Sequence, residues 1–227
     1  LFFCQSHSTH VFDDARTLPR NENTMMICLD EPVHTKEDVL ALGIQNGDIV
    51  SIRPRFQTTD NGYIKTRFID DKAAVAVCFS ALEYMMKNQI KPKYNTIFSF
   101  PHFEEINHGG AYLPVAIDEY VAIDIGLIGP GLNGSERAVS ICAKDAFTPY
   151  DRTLTNHLIT LCKENEIQHN VDVFFNYGTD ASAAWRSGNN VAVAAFGMAC
   201  WCSHGLERTH IDGLKETYHL LLAYLTI

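Results

Sequence analysis

The chain has 227 residues, enough for one large domain or for a core domain with a smaller companion. Hydrophobic residues make up 46% and charged residues 20%, as in an ordinary globular protein, and no apolar run is long enough to cross a bilayer. The formal net charge of -9 argues against nucleic acid and against an anionic membrane surface as partners.

Residues 1–66 are predicted to form a small β-rich domain, a barrel or sandwich with one helix. Its β-prone runs are separated by polar and glycine turns: "HSTHVFDDA", "TMMICLD", "GDIVSIRPRF" and "GYIKTRF". The helix is predicted in "TKEDVLALGI", with Thr35 as its N-cap and Gly43 at its end. The first residues lack the features of a signal peptide. The chain opens on Leu1, in a strand-like run, and not on an initiator methionine, so we expect a processed protein or a fragment.

Residues 67–227 are predicted to form an α/β domain with a largely parallel sheet, because helices and strands alternate along them. The predicted helices are "DKAAVAVCFSALEYMMKNQ", "DRTLTNHLITLCKENEI", "TDASAAWRSG" and "DGLKETYHLLLAYLTI". The predicted strands are "YNTIFSFPH", "EYVAIDIG", "AVSICAKD", "HNVDVFFNYG" and "VAVAAFGM". The continuous apolar character of "EYVAIDIG" is typical of a strand buried on both faces.

The cysteines indicate a reducing environment. There are seven, an odd number, without a C-x-x-C motif. Four lie in apolar or helical contexts and are expected to be reduced core residues: Cys28, Cys78, Cys142 and Cys162. Cys200 and Cys202 form a lone C-x-C pair, for which ordinary packing is preferred over metal binding. We therefore expect a cytoplasmic protein.

Acidic residues and a histidine follow several of the predicted strands, where ligands gather in an α/β sheet. They are Asp70, Asp71, Glu104, Glu105, Asp124, Asp180 and His204. Carboxylates can bridge two divalent ions, and imidazole favours zinc, cobalt or nickel over magnesium. Of two adjacent glutamates, one can bind metal while its neighbour takes a proton from water as a general base.

Ordinary structural roles compete with this interpretation. Asp71 before a helix fits an N-cap, and the Glu104–Glu105 pair could simply be solvated. His204 and His210 could be surface histidines. Asp124 is the hardest to explain without a partner, because a carboxylate within an apolar strand is costly to bury. The residues alone put a metal site only modestly ahead of coincidence.

Five motifs resemble, in the same order, those of the tetrahedral and glutamyl aminopeptidases, a family of dinuclear metallopeptidases once also described as endoglucanases. They are "FIDDKAAVAV", "FEEINHGGA", "YVAIDIG", "YGTDASA" and "SHGLERTH". An earlier segment, "TKEDVLALGIQNGDIV", is also similar to that family, so the resemblance covers essentially the whole chain. It implies a zinc-peptidase-like catalytic domain at 67–227 and a β-barrel-like dimerisation domain at 1–66, truncated at its start.

The resemblance also implies roles for single residues. Asp70 would bridge two metal ions, zinc or cobalt. Glu105 and His204 would complete one site, with His210 as the second choice for the histidine, and Asp124 would bind the other ion. Glu104 would be the general base. Three residues would bind or position substrate: Gly178, Thr179 and Asp180.

The function implied is release of N-terminal residues from peptides by a homo-oligomer, from dimer to dodecamer, that binds neither nucleic acid nor membrane. The alternative is a catalytically inactive fragment or homologue that acts as a structural subunit. This alternative is motivated by the family's first ligand, a histidine in an H-x-D motif before the β domain, which this chain lacks. His7 and His10 are not expected to replace it. Asn107 stands where the family has glycine, and asparagine tolerates a positive φ best among other residues.

Overall fold

The computed structural model describes residues 2–227, which form two compact units that meet in sequence between Ile52 and Arg53. The domain boundary expected from the sequence, between residues 66 and 67, stays a prediction. The assembly role predicted for residues 1–66 stays a prediction.

The first unit contains a short hairpin-like pair of strands and one helix. Strand β1 (Phe2–Cys4) pairs antiparallel with β2 (Met25–Ile27), and α1 spans Lys36–Ala41. Thr35 caps α1 as predicted: its side chain accepts from the Asp38 N–H, and the Asp38 carboxylate accepts from the Thr35 N–H at 2.9 Å. Gly43 follows with a φ of +81°, which suits glycine at a helix end.

The small β-barrel predicted for residues 1–66 is not confirmed. In the described part of this region the strands are β1, β2, β3 (Gln57–Thr58) and β4 (Tyr63–Thr66). The run "HSTHVFDDA" forms turns, and "GDIVSIRPRF" forms no strand although its composition is β-prone. Composition alone does not make a strand, because β-propensity depends on packing against neighbouring strands. Ile49 in the second of these runs is exposed to solvent and has no such packing.

A five-stranded, mostly parallel sheet forms the centre of the second unit. Its strands are β5 (Glu119–Ile123), β6 (Gly126–Leu127), β7 (Val139–Lys144), β8 (His169–Val173) and β9 (Ala192–Cys200). The order is β5-β9-β7-β8, with β6 also on β9, and only the β7–β9 pair is antiparallel. The α/β fold class with a mostly parallel sheet is thereby confirmed.

Four helices accompany this sheet: α2 (Ile69–Lys87), α3 (Arg152–Glu164), α4 (Asp180–Arg186) and α5 (Ile211–Thr226). On α3, the buried residues Leu154, Leu158 and Leu161 recur at helical spacing and join the core, where they meet Ala194 and Phe196 of β9. β9 is the centre of the fold, since nearly all of its residues are buried.

A smaller, three-stranded antiparallel sheet joins β3 and β4 to a third strand. Strand β10 (Glu207–His210) pairs with β4, and β4 pairs with β3. In this register Glu207 lies opposite Thr66, the last residue of β4. The sheet therefore places the start of β10 beside the turn that leads from β4 into α2.

The strand predicted in "YNTIFSFPH" is wrong. Residues 95–100 have no ladder partner among the described residues. Phe98 packs on the core, whereas Ile97 is exposed and Phe100 stacks on Phe79 with ring centroids 5.0 Å apart. An apolar, β-prone run becomes a strand only where a neighbour completes its hydrogen bonds.

Five of the cysteines are buried, as Cys78, Cys142 and Cys162 were expected to be. Cys28 is a correction: it follows β2, whose last two residues face solvent, and it is itself exposed. Burial raises the pKa of the Cys78 and Cys142 thiols to about 12, which makes them inert.

In the described part of the chain, no helix has both the length and the apolar character that a bilayer crossing demands.

Gly197→Ala is expected to lower the free energy of unfolding by about 1–3 kcal/mol or more. A Cβ at Gly197 would lie 1.8 Å from the Asp124 carbonyl oxygen, a backbone atom that cannot rotate away. The matched control is Gly129→Ala, whose Cβ would meet nothing nearer than Leu132 Cδ1 at 4.0 Å. Urea denaturation measures both, and equal midpoints for the two variants would contradict the prediction.

Candidate metal centre

Two adjacent carboxylates lie on the turn between β4 and the regular part of α2. Phe68 has a left-handed backbone (φ 68°), and Asp70 and Asp71 have non-helical angles, joined by a cis peptide bond. The nearby Ala74 N–H favours the ionised form of Asp71, but burial outweighs it and raises the pKa of this carboxyl, and its Oδ1 is buried without a hydrogen-bond partner. The regular part of the helix therefore begins after these two carboxylates.

His204 meets two of the predicted acidic residues. Its Nε2 lies 3.2 Å from Asp70 Oδ2 and 3.3 Å from Glu105 Oε2. These three residues offer ligand atoms that all lie within 4.8 Å of one another. They line a cavity of about 180 Å³ that Arg67 and Phe68 also border.

A second cluster lies beside the first and shares Asp70 with it. Asp70, Asp71 and Asp124 also offer ligand atoms within 4.8 Å of one another. Asp124 directly follows β5, and its Oδ1 accepts from the Ile125 N–H at 2.6 Å. Burial, and then the charges of Glu104 and Asp70, raise the pKa of Asp124 well above its ordinary range.

Glu104 and Glu105 lie on a single 3-10 turn, Glu104–Ile106, and do not follow a strand as predicted. Asn107 ends the turn with a φ of 57°, the conformation expected where the family has glycine. Burial, followed by the charges of Asp180, Glu105 and Asp70, raises the pKa of Glu104 to about 8.

Three residues predicted to bind or position substrate, Gly178, Thr179 and Asp180, lie where the chain enters α4. Thr179 is its N-cap, with its side chain 3.2 Å from the Ala181 nitrogen. Asp180 is buried, its Oδ1 has no hydrogen-bond partner, and its charge contributes to the raised pKa of Glu104. Gly109 packs so closely that a Cβ there would lie 2.3 Å from Asp180 Oδ1, and Gly178 would similarly collide with Phe147.

His210, the second choice for the metal-binding histidine, is engaged elsewhere. It is buried, and its Nε2 donates to the Asn61 carbonyl oxygen at 2.6 Å. Its Nδ1 accepts from the Asp212 N–H at 3.0 Å and so caps α5. His7 and His10 belong to the first unit.

This donor set fits divalent cations. Carboxylate oxygens and one imidazole are ligands for zinc or cobalt. Burial and the neighbouring carboxylates raise the pKa of Asp70 to about 6 and that of Asp71 well above its ordinary range, and a bound cation would favour the ionised form of both groups. The buried, unpartnered Oδ1 of Asp71 offers a free acceptor in the same cluster.

Sequence reasoning missed one acidic residue near this centre. Glu207 is 1% exposed, and its carboxylate contacts the backbone of both the Asp70 and the His204 segments. The only signal for it was its position in "SHGLERTH", three residues after the predicted ligand.

The melting temperature of the metal-free chain is expected to fall as pH rises from about 5 to about 8. The pKa of Asp70 is raised to about 6 and that of Glu104 to about 8, so the folded state holds protons that the unfolded state has released. These bound protons stabilise the folded state fully at pH values below the ordinary carboxyl pKa. The stabilisation is lost as the pH rises through the pKa values that Asp70 and Glu104 have in the folded state. Thermal unfolding with a chelator measures this profile, and zinc should restore stability most at the alkaline end. A melting temperature that rises over this window without metal would contradict it.

The sequence comparisons establish the family. The profile of the M42 glutamyl aminopeptidases matches residues 3–220, so the chain belongs to that family, and the resemblance carried by the five motifs is confirmed. YhfE of Bacillus subtilis (strain 168), provisionally named an aminopeptidase, is 42% identical over 218 residues. The match covers 96% of this chain and 63% of YhfE, so the chain spans somewhat less than two thirds of this curated relative.

Solved structures agree with the fold. The TET1 peptidase of Pyrococcus horikoshii matches with a TM-score of 0.78 at 22% identity, over 93% of this chain and 65% of its own. Aminopeptidase APDkam598 of Desulfurococcus kamchatkensis matches with a TM-score of 0.78 at 19% identity, over 94% of this chain and 62% of its own. At these identities the similarity concerns the fold alone.

Proposed function

We propose that this chain carries the catalytic centre of a metal-dependent aminopeptidase that releases N-terminal residues from peptides. The observation that carries the proposal is the convergence of Asp70, Glu105 and His204 within 4.8 Å in a member of the M42 family. Glu104 and Asp124 lie near this group, since the charge of Asp70 raises the pKa of both and the charge of Glu104 raises that of Asp124.

Two divalent ions, zinc or cobalt, would be held by these side chains. Asp70 would serve both, because it belongs to both clusters, while Glu105 and His204 would hold one ion and Asp124 the other. When bound, the ions would supply Lewis acidity toward the scissile carbonyl and toward water.

Glu104 would move the proton. Its carboxylate oxygen would accept a proton from the attacking water and return it to the nitrogen of the leaving amine. A general base works best with a pKa near the working pH, and burial with the neighbouring carboxylates holds that of Glu104 at about 8 without metal. Bound cations would lower this value.

Asp180 would contribute to substrate positioning together with Gly178 and Thr179. Its buried carboxylate lies close enough to Glu104 to raise the pKa of that group. A negative charge at this place would attract the free α-ammonium group of a peptide and so favour cleavage at the N-terminus. The N-cap bonds of Thr179 fix the turn that presents Asp180.

Self-association is also proposed. The Pyrococcus horikoshii TET1 peptidase is described as assembling into a tetrahedron or a large octahedral shell, and a related structure as a dodecamer. We expect this chain to form a homo-oligomer, of a size between dimer and dodecamer. Size-exclusion chromatography with light scattering measures it, and a clean monomer would contradict the expectation.

The second candidate is an inactive fragment that acts as a structural subunit. The observation in its favour is that the chain spans 63% of the length of YhfE. One assay separates the two: the purified chain is loaded with zinc or cobalt, bound metal per chain is measured, and release of N-terminal residues is followed on a panel of peptides. Metal-dependent release that a chelator abolishes supports the aminopeptidase. Bound metal without release from any peptide supports the structural subunit.

A further inference from the structure

Glu207 joins two parts of the candidate centre. It is the first residue of β10 and lies opposite Thr66, so its side chain reaches the turn between β4 and α2. One carboxylate oxygen, Oε2, accepts from the Ile69 N–H at 2.5 Å and from the Asp70 N–H at 3.2 Å. The other, Oε1, accepts from the His204 N–H at 3.0 Å.

The hydrogen bonds of Glu207 stabilise backbone conformations that are unfavourable on their own. Phe68 and His204 have φ values of 68° and 64°, a left-handed conformation that residues other than glycine rarely adopt. Such strained residues are found where the surrounding structure holds them in place. Glu207 supplies part of that constraint, because it binds the amide of His204 itself and the two amides that follow Phe68.

The connection from β9 to β10 adds a second constraint on His204. The Trp201 N–H donates to the Arg208 carbonyl oxygen at 2.9 Å, and the Arg208 N–H donates back to Trp201 at 3.2 Å. The Gly205 N–H donates to the Cys202 carbonyl oxygen at 2.9 Å. His204 therefore lies on a closed loop, and Glu207 ties that loop to the Asp70 turn.

We propose that Glu207 is a positioning residue for the metal centre: it holds the backbone of Asp70 and His204 so that their side chains face one another before any ion binds. The consequence for metal binding rests on the proposed function. Glu207 is not itself a ligand, because both of its oxygens are engaged by backbone amides and the side chain is buried. Residues that orient metal ligands in this way typically change metal affinity by about 10- to 100-fold when substituted.

The test uses Glu207→Gln in the full 227-residue chain. Glutamine has the same shape, but its amide group must turn N–H donors toward at least one of the three backbone N–H groups. The matched control is Asp172→Asn, a buried carboxylate on β8 that accepts from the Asn133 backbone and side chain, away from the centre. Both variants are compared with the wild-type chain by amide hydrogen exchange and by titration with cobalt.

Hydrogen exchange tests the positioning without metal. In Glu207→Gln, peptides covering 67–71 and 202–206 should both exchange at least about 10-fold faster, whereas Asp172→Asn should leave them unchanged. Unchanged exchange in either segment would overturn the proposal. Should Glu207→Gln fail to fold, the wild-type chain decides: rapid exchange of the Ile69, Asp70 and His204 amides would overturn it equally.

Cobalt titration tests the consequence for the ligands. The visible absorption of bound cobalt reports ligand geometry, and Glu207→Gln should show an altered spectrum with about 10- to 100-fold weaker binding. Wild-type affinity and an unchanged spectrum would overturn the proposed effect on the centre. If the wild-type chain binds no cobalt, the proposed function fails, while hydrogen exchange still decides whether Glu207 holds the two segments.

Discussion

Glu104→Gln is expected to lower kcat for peptide hydrolysis by about 100- to 10,000-fold while leaving the metal content of the chain unchanged. Glutamine keeps the shape of the side chain but can neither accept the proton of the attacking water nor deliver it to the leaving amine. The pKa of Glu104 is raised by burial and by Asp180, Glu105 and Asp70, so the substitution also removes one of the crowded charges. The chain should therefore fold at least as well as the wild type.

The neighbouring residue provides the control. Glu105 lies 3.3 Å from His204, and Glu105→Gln should lower activity through lost metal. Steady-state kinetics and elemental analysis on the two variants separate these causes. A Glu104→Gln variant that retains kcat within a few-fold of the wild type would exclude Glu104 as the general base.

Asp70→Asn is expected to abolish binding of both metal ions. Asp70 is the one residue shared by the cluster with Glu105 and His204 and the cluster with Asp71 and Asp124. Asparagine lacks the negative charge that draws a cation to both places, so neither cluster keeps its full ligand set. Equilibrium dialysis against zinc followed by elemental analysis measures the ions retained per chain.

His204→Ala provides the graded comparison, because His204 belongs to the first cluster only and its loss should remove one ion. The expected series is two ions for the wild type, one for His204→Ala and none for Asp70→Asn. Two ions retained by Asp70→Asn would show that the clusters bind metal independently of their shared carboxylate.

The sequence predicts the α/β part of the fold well where local pattern and tertiary context agree. The helix around Leu154, Leu158 and Leu161 and the buried strand ending before Asp124 follow directly from hydrophobic periodicity. The convergence of Asp70, Glu105 and His204 follows from the ordered motifs, although their catalytic roles remain predictions. Each of these residues lies where a strand, a turn or a helix start has a recognisable sequence.

The misses have a common physical cause. The run containing Ile97 and Phe100 has the composition of a strand, but strand formation depends on a neighbour, which composition does not specify. The same holds for the β-barrel expected in residues 1–66. Glu207 was missed because its importance comes from amides of Ile69 and Asp70, which are distant in sequence and reach it only through the β4–β10 pairing. His204 and His210 lie in the same motif, "SHGLERTH", and only the fold shows which of the two meets Asp70 and Glu105.

The left-handed backbone at His204 sets stability and function against one another. The backbone of His204 has a left-handed conformation that glycine would adopt freely. For histidine this conformation lowers the stability of the folded state by about 1 kcal/mol or more. Selection for thermal stability alone would therefore favour replacing the very side chain that meets Asp70 and Glu105. The side chain that meets Asp70 and Glu105 therefore stands on strained backbone, as is common where strain is concentrated at functional sites.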